Sequence, residues 1–337
     1  MEENFAEIRA LLPPECVPIW DKMMSIDMSE FFTVKKKTLP IEDWKGHKMQ
    51  PSFKAETVRF AYEDWTPREG DVFVVAYPKT GLNWTNEIVK QLLYFGQERD
   101  YRIMSSQPMV MSLIEGGWSE KYKIFDAMPL KRRILCTHLP APVINVDKIK
   151  KVNAKVVYVL RNPKDQAVSW FNFIPKLPNL QIEPLDKLFG SDWATFLDSF
   201  IAGKMPIGMR DGEWYLDHIL GWLQHRDDKN VMFFYYEDMK QNPVKEFSRM
   251  AKFLDLNLTE ENIREVAEKV AFSSMKKSDQ KSGKKNVDQN LRNQLGILRK
   301  GEVGGWKDHF TVAQSEQMDK EVKNKLGNTD IKFKYTL

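Results

Sequence analysis

The sequence contains three short apolar runs, each followed at once by a helical pattern. The runs cover residues 72–77, 156–160 and 231–237 and are rich in valine and aromatic side chains, as buried strands are. After the first run, apolar side chains recur at helical spacing over residues 85–95. Strands that alternate with helices favour a parallel sheet covered on both faces. We therefore predict a single α/β domain whose central parallel sheet has about five strands and is flanked by helices.

The length and composition of the chain suit a globular domain. It has 337 residues, of which 42% are hydrophobic and 29% charged, so disorder is excluded as its main state. No Gly/Ser/Pro-rich linker divides it into two parts. We predict one domain over residues 67–337, preceded by a partly irregular N-terminal arm over residues 1–66.

Cysteine and histidine usage argues against disulfide and metal frameworks. Cys16 and Cys136 are too few for a disulfide framework or a cysteine-rich zinc site, and they favour a reducing compartment. The histidines show no metal-binding spacing, so we predict no metal site. The N-terminus lacks the pattern of a secretory signal, and no apolar run approaches the roughly 18 residues of a membrane span. These features predict a cytoplasmic protein that does not bind membranes.

The distribution of charge is more informative than its total. The formal net charge of +4 is too weak to indicate nucleic-acid binding. Residues 276–300, however, carry eight basic side chains and only two acidic ones, with few large apolar residues. This pattern predicts a solvated basic loop, and it leaves a polyanion-binding protein as an alternative function.

The turn after the first apolar run has the residues of an anion site. Residues 77–84 read YPKTGLNW, so Lys79 and the Thr80 hydroxyl follow a strand directly and Gly81 lets the backbone approach a ligand. At the carboxyl end of a parallel strand, helix N-terminal N–H groups bind phosphate. The segment is not a Walker sequence, because Lys79 precedes its only glycine. An ATPase or GTPase is therefore disfavoured, although a nucleotide kinase-like phosphotransferase with Mg²⁺ stays open.

Two further cationic positions point to the same kind of ligand. Arg161 ends the second apolar run, and Ser169 follows it by about two helical turns. Between them, Asn162 and Pro163 have the types of a helix cap and a first-turn proline. The third position is Arg299-Lys300-Gly301 at the end of the basic loop. Three cationic positions predict a ligand with more than one phosphate.

Five ordered motifs resemble those of the cytosolic sulfotransferases. The turn YPKTGLNW resembles the 5′-phosphosulfate loop of that family, and VVYVLRNPKDQAVSWFNF is similar to its 3′-phosphate segment. Thr137–Pro140 reads THLP, which carries the catalytic histidine in the family. The C-terminal motifs are LRKGEVGGWKDHFT and the KxxxTVxxxE dimerisation pattern within residues 307–316. The resemblance covers about residues 67–310.

The resemblance implies an enzyme that transfers a sulfuryl group from 3′-phosphoadenosine 5′-phosphosulfate (PAPS) to a hydroxyl of a small molecule, without a metal. It implies catalytic roles for His138, Lys79 and Ser169, with Phe173 beside the acceptor. The residues implied to bind the nucleotide are Lys79, Thr80, Gly81, Leu82, Asn83, Trp84, Arg161, Ser169, Tyr215, Val270, Phe272, Leu298, Arg299, Lys300 and Gly301. Lys307, Thr311, Val312 and Glu316 would form a homodimer contact.

The implied roles agree with the chemistry. A hydroxyl acceptor loses its proton as its bond to sulfur forms, and an imidazole of ordinary pKa, about 6.5, is largely neutral and basic at cytosolic pH. His138 is therefore a suitable general base. Lys79 can stabilise the charge that accumulates on the leaving phosphate, as in phosphoryl transfer.

Some positions depart from the family pattern. Leu82 and Asn83 stand where the family has two threonines, and Cys136 stands where a lysine is common. Val270 replaces a threonine, and Gly305 replaces an aspartate. These changes leave Lys79, His138, Arg161 and Ser169 in place, so we expect the reaction to be retained with altered donor binding or rate.

The acceptor stays open. Aromatic side chains such as Phe173 suit an apolar phenol, steroid or retinoid-like alcohol. If the acceptor were an allylic alcohol, its sulfate would be a good leaving group, and the net reaction would be dehydration, as in the related retinol dehydratases.

Overall fold

Four parallel strands form the central sheet of the computed structural model, which describes residues 2–25, 40–107, 109–190, 192–271, 274 and 301–337. They are β3 (Val72–Ala76), β4 (Ile134–Thr137), β5 (Lys155–Leu160) and β7 (Val231–Tyr235). Their order is β4-β3-β5-β7, and every neighbouring pair is parallel. The α/β class and the three predicted strands are confirmed. The described sheet is narrower than the expected five or so strands.

The sheet is buried on both faces because its side chains alternate between two cores. In β3, Phe73 and Val75 join one apolar cluster, whereas Val72 and Val74 join the other. All five residues of β3 are buried. A strand that buries both faces reads as a continuous apolar run, which is why the sequence identified it.

Strand β4 was not predicted. It has only four residues, and the charged Arg133 before it makes the segment resemble a loop in the sequence. Arg133 is buried, and its guanidinium donates to both carboxylate oxygens of Asp71 at 2.8 and 2.6 Å. A bidentate pair of this kind lets a charged side chain lie inside the protein at the start of the sheet.

A small antiparallel sheet lies apart from the central one. It contains β1 (Glu42–Trp44), β2 (His47–Met49) and β6 (Ile207–Met209), in the order β1-β2-β6.

The helices surround the central sheet, and α4 and α9 begin immediately after β3 and β5. Their bounds are α1 (Glu2–Leu11), α2 (Val17–Met24), α3 (Ala55–Glu63), α4 (Leu82–Leu93), α5 (Glu98–Ser105), α6 (Met109–Ser112), α7 (Lys121–Ala127), α8 (Val146–Lys151), α9 (Pro163–Phe171), α10 (Leu185–Phe189), α11 (Trp193–Ile201), α12 (Tyr215–Leu223), α13 (Tyr236–Gln241), α14 (Pro243–Phe253), α15 (Glu260–Lys269) and α16 (Val312–Leu326). Short 3-10 helices cover Ala141–Val143, Ile174–Lys176, Pro178–Leu180 and Gly305–Asp308.

The N-terminal arm is more regular than the sequence suggested. Helices α1 and α2 occupy most of residues 2–24 and place Ile8, Trp20 and Met23 in one of the two cores. This part of the arm, which we predicted to be partly irregular, is thus helical over most of its length. The reason is that the Pro13-Pro14 pair separates two short helices rather than preventing them.

Within the described ranges, no helix has both the length and the apolar character needed to cross a membrane.

Candidate active site

The turn between β3 and α4 presents backbone N–H groups at the carboxyl end of the sheet. Lys79 has a positive φ of 69°, a conformation that is uncommon for a side chain with a Cβ and that is often found at functional sites. Gly81, with φ 123°, precedes the helix and makes no side-chain cap bond. The first-turn N–H groups of α4 therefore have no capping side chain and can bind an anion.

Thr80 does not offer its hydroxyl to this turn. The side chain is buried, and its hydroxyl donates to the carbonyl of Tyr77 at 2.8 Å, with the carbonyl of Val159 at 3.2 Å. The single hydroxyl proton is used inside the protein. In this structure the hydroxyl ties the turn to β5, and a bond from Thr80 to a ligand stays a prediction from the sequence.

His138 lies just beyond the end of β4, next to the end of β3. Its Nδ1 is 2.6 Å from the carbonyl oxygen of Ala76. A carbonyl only accepts hydrogen bonds, so Nδ1 carries the proton and Nε2 keeps a lone pair. Burial, together with the positive charge of Lys79, lowers the pKa of His138 to about 4, against the opposing effect of the Ala76 bond. The ring is a neutral base at neutral pH.

Lys79 and His138 each lie against the ring of a phenylalanine. The Lys79 ammonium lies 3.7 Å from the centre of the Phe173 ring. On the other side, the Phe53 ring is stacked on His138 with centroids 6.2 Å apart. Phe53 comes from the segment before α3 and was not identified from the sequence, because an isolated phenylalanine carries no motif. Lys79 and His138 thus each have an apolar ring beside them.

Arg161 follows the end of β5, where two of its guanidinium nitrogens donate to backbone carbonyls. Its Nη1 donates to the carbonyl of Lys79 at 3.2 Å, and its Nη2 donates to the carbonyl of Glu302 at 3.1 Å. The guanidinium also lies 4.6 Å from the centre of the Tyr236 ring. Its Nε is buried and has no hydrogen-bond partner among the residues that the structure describes. A buried donor without a partner is costly, and an anion bound here would satisfy it.

Helix α9 carries the predicted serine. Asn162 caps the helix by accepting a hydrogen bond from the Asp165 N–H at 2.8 Å, and Pro163 occupies its first turn, as predicted. Ser169 is half-buried on this helix, and therefore partly accessible to a ligand.

The side chains of Tyr215 and Val270 are buried inside the protein rather than exposed where a nucleotide base would touch them. Tyr215 is fully buried; its hydroxyl donates to the carbonyl of Arg161 at 2.7 Å and accepts from the Arg161 N–H at 2.9 Å. Val270 is also fully buried, and its carbonyl accepts the indole N–H of Trp84 at 2.9 Å. Both residues position their neighbours: Tyr215 fixes the Arg161 backbone and Val270 orients the half-buried Trp84.

Two residues that the sequence did not single out, Tyr236 and Glu237, lie at this end of the site. Tyr236 lies between Trp84 and Arg161, with its ring centre 5.2 Å from that of Trp84. Glu237 is buried, its carboxylate accepts from the Asn162 N–H at 2.9 Å, and burial raises its pKa to about 7. The run YYED at the end of the third apolar segment was the available signal, but it carried no family motif.

Asp165 connects helix α9 to the C-terminal segment. Its carboxylate accepts the N–H groups of Gly304 at 2.8 Å and Trp306 at 3.0 Å. Gly301, three residues before Gly304, has a positive φ of 66°. The other predicted nucleotide-binding residues of this region, together with the basic loop, lie outside the described residues: Phe272, Leu298, Arg299 and Lys300.

The ends of three adjacent strands thus bring together a cation, a neutral base and an anion site. β3 supplies Lys79, β4 supplies His138 and β5 supplies Arg161. Chemically, the arrangement can bind a phosphorylated ligand along α4 and Arg161 while His138 removes a proton from a second molecule.

Comparisons with known proteins agree with this geometry. The family model described as "Sulfotransferase domain" matches residues 69–330. Mouse sulfotransferase 1B1 is 32% identical over 276 residues, covering 80% of this chain and 87% of the relative. Zebrafish cytosolic sulfotransferase 1 is 32% identical over 278 residues, covering 81% of this chain and 88% of the relative.

Solved structures show the same fold. A mouse sulfotransferase complexed with PAP is 30% identical and superposes with a TM-score of 0.68, covering 86% of this chain and 96% of the other. A retinol dehydratase in complex with retinol and PAP has a TM-score of 0.65, covering 96% of this chain and 97% of the other, and its identity of 23% makes it a likeness of fold. The resemblance inferred from the motifs is confirmed: this chain belongs to the sulfotransferase family.

Proposed function

We propose that this enzyme transfers the sulfuryl group of PAPS to the hydroxyl of a small apolar acceptor, with His138 as general base. Membership of the family makes it a transferase. The observation that carries the finer assignment is the tautomer of His138: its Nδ1 donates to the Ala76 carbonyl, so the basic Nε2 is available beside Lys79.

The donor site fits the nucleotide. The mouse relative that is 30% identical was solved with PAP, the desulfated form of PAPS. In this chain, the uncapped start of α4 and the unpartnered Nε of Arg161 are the groups that phosphate oxygens would satisfy. Lys79 and the N–H groups of residues 81–83 would hold the 5′ end, and Arg161 and Ser169 the 3′-phosphate. Trp84 presents an aromatic surface for adenine.

The chain's own groups then account for the reaction. Bound PAPS supplies the sulfuryl group. His138 accepts the proton of the acceptor hydroxyl at Nε2, while the Lys79 ammonium stabilises negative charge on the bridging and 5′-phosphate oxygens. Because transfer of this kind passes through a loose transition state, alignment and electrostatic stabilisation supply most of the rate.

The acceptor that suits this site is an apolar alcohol or phenol. The Phe53 ring lies against His138 and the Phe173 ring against Lys79, and both would exclude water from the reacting oxygen. Release of a stable sulfate ester is the outcome we propose. Product analysis separates it from dehydration, which would give an alkene and free sulfate.

The test is sulfuryl transfer from labelled PAPS to a panel of phenols, steroids and allylic alcohols. We expect His138→Ala to lower kcat by about 100-fold or more, since general-base catalysis contributes that much, with donor affinity unchanged. His225→Ala is the matched control, because His225 bonds Asp228 outside the site. Full activity of His138→Ala, or no transfer by the wild type, would contradict the proposal.

We also propose that the enzyme forms a homodimer through residues 307–316. Lys307, Thr311, Val312 and Glu316 are all exposed, and Val312 is 76% exposed, which is unusual for a valine. Thr311 additionally caps α16 by accepting from the Gln314 N–H at 3.2 Å, so the segment is presented in a fixed shape.

We retain a cytoplasmic location as part of the proposal. It rests on the sequence composition and on the likeness to the zebrafish cytosolic sulfotransferase 1.

A further inference from the structure

A short segment before α7 runs beside the end of β4. Leu113 forms a parallel bridge with Cys136, and the Ile114 N–H donates to the Cys136 carbonyl at 2.9 Å. The segment therefore extends the edge of the sheet at the point where β4 leads into His138. Its next residue is Glu115, which is fully buried.

Both carboxylate oxygens of Glu115 bind the chain around His138. Oε1 accepts the backbone N–H of His138 at 2.7 Å, and Oε2 accepts the hydroxyl of Thr137 at 2.8 Å. The Thr137 oxygen in turn accepts the N–H of Leu139 at 3.0 Å. One side chain thus fixes three consecutive residues, with the catalytic histidine in the middle.

Glu115 is itself held on a rigid support. Its own carbonyl accepts the N–H of Lys54 at 2.8 Å. The ammonium of the buried Lys121 donates to the carbonyls of Gly116 at 2.6 Å and Ile114 at 3.3 Å, and also to that of Leu113. These bonds satisfy the carbonyls on the side of the segment away from β4. The carboxylate therefore has little freedom to move.

The other side of the histidine segment is fixed by separate groups. The Leu139 carbonyl accepts from the His218 Nε2 at 3.1 Å and from the Trp222 indole N–H at 3.2 Å. The Ala76 carbonyl accepts from the ring of His138. Glu115 thus controls the backbone position of His138, whereas Ala76 controls the direction of its ring.

We propose that Glu115 is a positioning residue for His138, which keeps Nε2 where the acceptor hydroxyl must lie. The inference rests on the proposed role of His138 as general base. Glu115 does not touch the reacting atoms. Removing its carboxylate leaves the His138 N–H and the Thr137 hydroxyl buried without acceptors, so the segment must shift to recover hydrogen bonds. A misplacement of about 1 Å costs a reaction of this kind about 100-fold in rate.

The test compares Glu115→Ala and Glu115→Gln with the wild type. Glutamine keeps one oxygen that can accept the His138 N–H, so it should rescue part of the loss and guards against a variant that does not fold. Thr57→Val is the matched control: the Thr57 hydroxyl is buried and donates to the Gly117 carbonyl of the same segment at 2.9 Å, away from the carboxylate. Thermal unfolding and PAP binding by calorimetry check the fold and the donor site.

We expect Glu115→Ala to lower kcat by about 100-fold and Glu115→Gln by about 10-fold. We expect the KM for the acceptor and the Kd for PAP to change less than about threefold, because the binding groups are untouched. Thr57→Val should keep kcat within twofold. Equal losses in Glu115→Ala and Thr57→Val, or an unchanged kcat in Glu115→Ala, would overturn the inference.

A second measurement does not depend on activity. The ¹⁵N shifts of the His138 ring, assigned by comparison with His138→Ala, should show Nδ1 protonated in the wild type. In Glu115→Ala the shifted backbone should move the ring away from the Ala76 carbonyl, so that both tautomers are populated. An unchanged tautomer in a folded Glu115→Ala protein counts against the positioning role. If the wild type shows the tautomer but transfers no sulfuryl group, the proposed function fails while the positioning of the ring stands.

Discussion

At the scale of single residues, the chemistry depends on groups that come from different strands. His138 could be identified from its THLP motif, but its tautomer is set by the Ala76 carbonyl of β3. Likewise, Lys79 could be identified from its turn, but the Phe173 ring beside its ammonium belongs to the segment after α9. Motifs identify residue types; they do not show which neighbours control them.

The pH dependence of the reaction should reveal the environment of His138. Burial and the charge of Lys79 lower its pKa to about 4, and the ring can accept a proton only when it is neutral. We expect kcat/KM to hold as the pH falls through 6.5 and to drop only as it approaches about 4. The measurement is a pH profile of kcat/KM, which reports the free enzyme. PAP binding and circular dichroism at each pH are the controls. Burial raises the pKa of Glu115 to about 7, so the same profile of Glu115→Gln separates an acid limb due to that carboxyl from one due to a solvated His138 ring.

At the scale of elements, the turn into α4 and the start of α13 fit closely together. A Cβ on Gly81 would lie 2.9 Å from the Tyr236 ring, and the φ of 123° is unfavourable for any other residue. The same ring supports Arg161 and faces Trp84. The close approach of the turn therefore links both halves of the donor site.

Gly81→Ala should weaken both donor binding and the fold. We expect the Kd for PAP to rise by about 10-fold or more, and stability to fall by about 1–3 kcal/mol from strain and overpacking. Gly96→Ala is the matched control, because Gly96 has a φ of 72° with no atom within 4 Å of a Cβ. Calorimetric titration with PAP measures the difference. An equal loss of affinity in both variants would mean that backbone strain alone is responsible.

The elements differ in how well the sequence predicted them. β3, β5 and α9 were predicted because long valine runs and an Asn-Pro cap are strong local signals. β4 was missed because it has four residues and follows a buried arginine whose ion pairs with Asp71 and Asp126 form only in the folded protein. The helices of residues 2–24 were missed because their apolar side chains are buried by packing against the rest of the protein.

At the scale of the whole molecule, the exposed start of α16 is the surface on which a second copy would pack. We expect Val312→Glu to raise the dimer dissociation constant by about 100-fold or more, since a carboxylate would be buried without a partner. Asn324→Glu, exposed on the same helix, is the control. Sedimentation velocity over a range of concentrations distinguishes the species. A wild type that is monomeric throughout, or a Val312→Glu protein that dimerises normally, would contradict the proposed interface.

The sequence by itself determined the fold class, and the resemblance of its motifs identified the groups to which we assign the chemistry, Lys79, His138, Arg161 and Ser169. It could do so because apolar periodicity and short motifs are local properties of the chain. Only the tertiary structure decided that Thr80 binds inward, that Tyr215 holds Arg161 and that Glu115 holds His138. These are contacts between residues far apart in the chain, and a hydrogen bond between buried groups exists only once the sheet has brought its strand ends together.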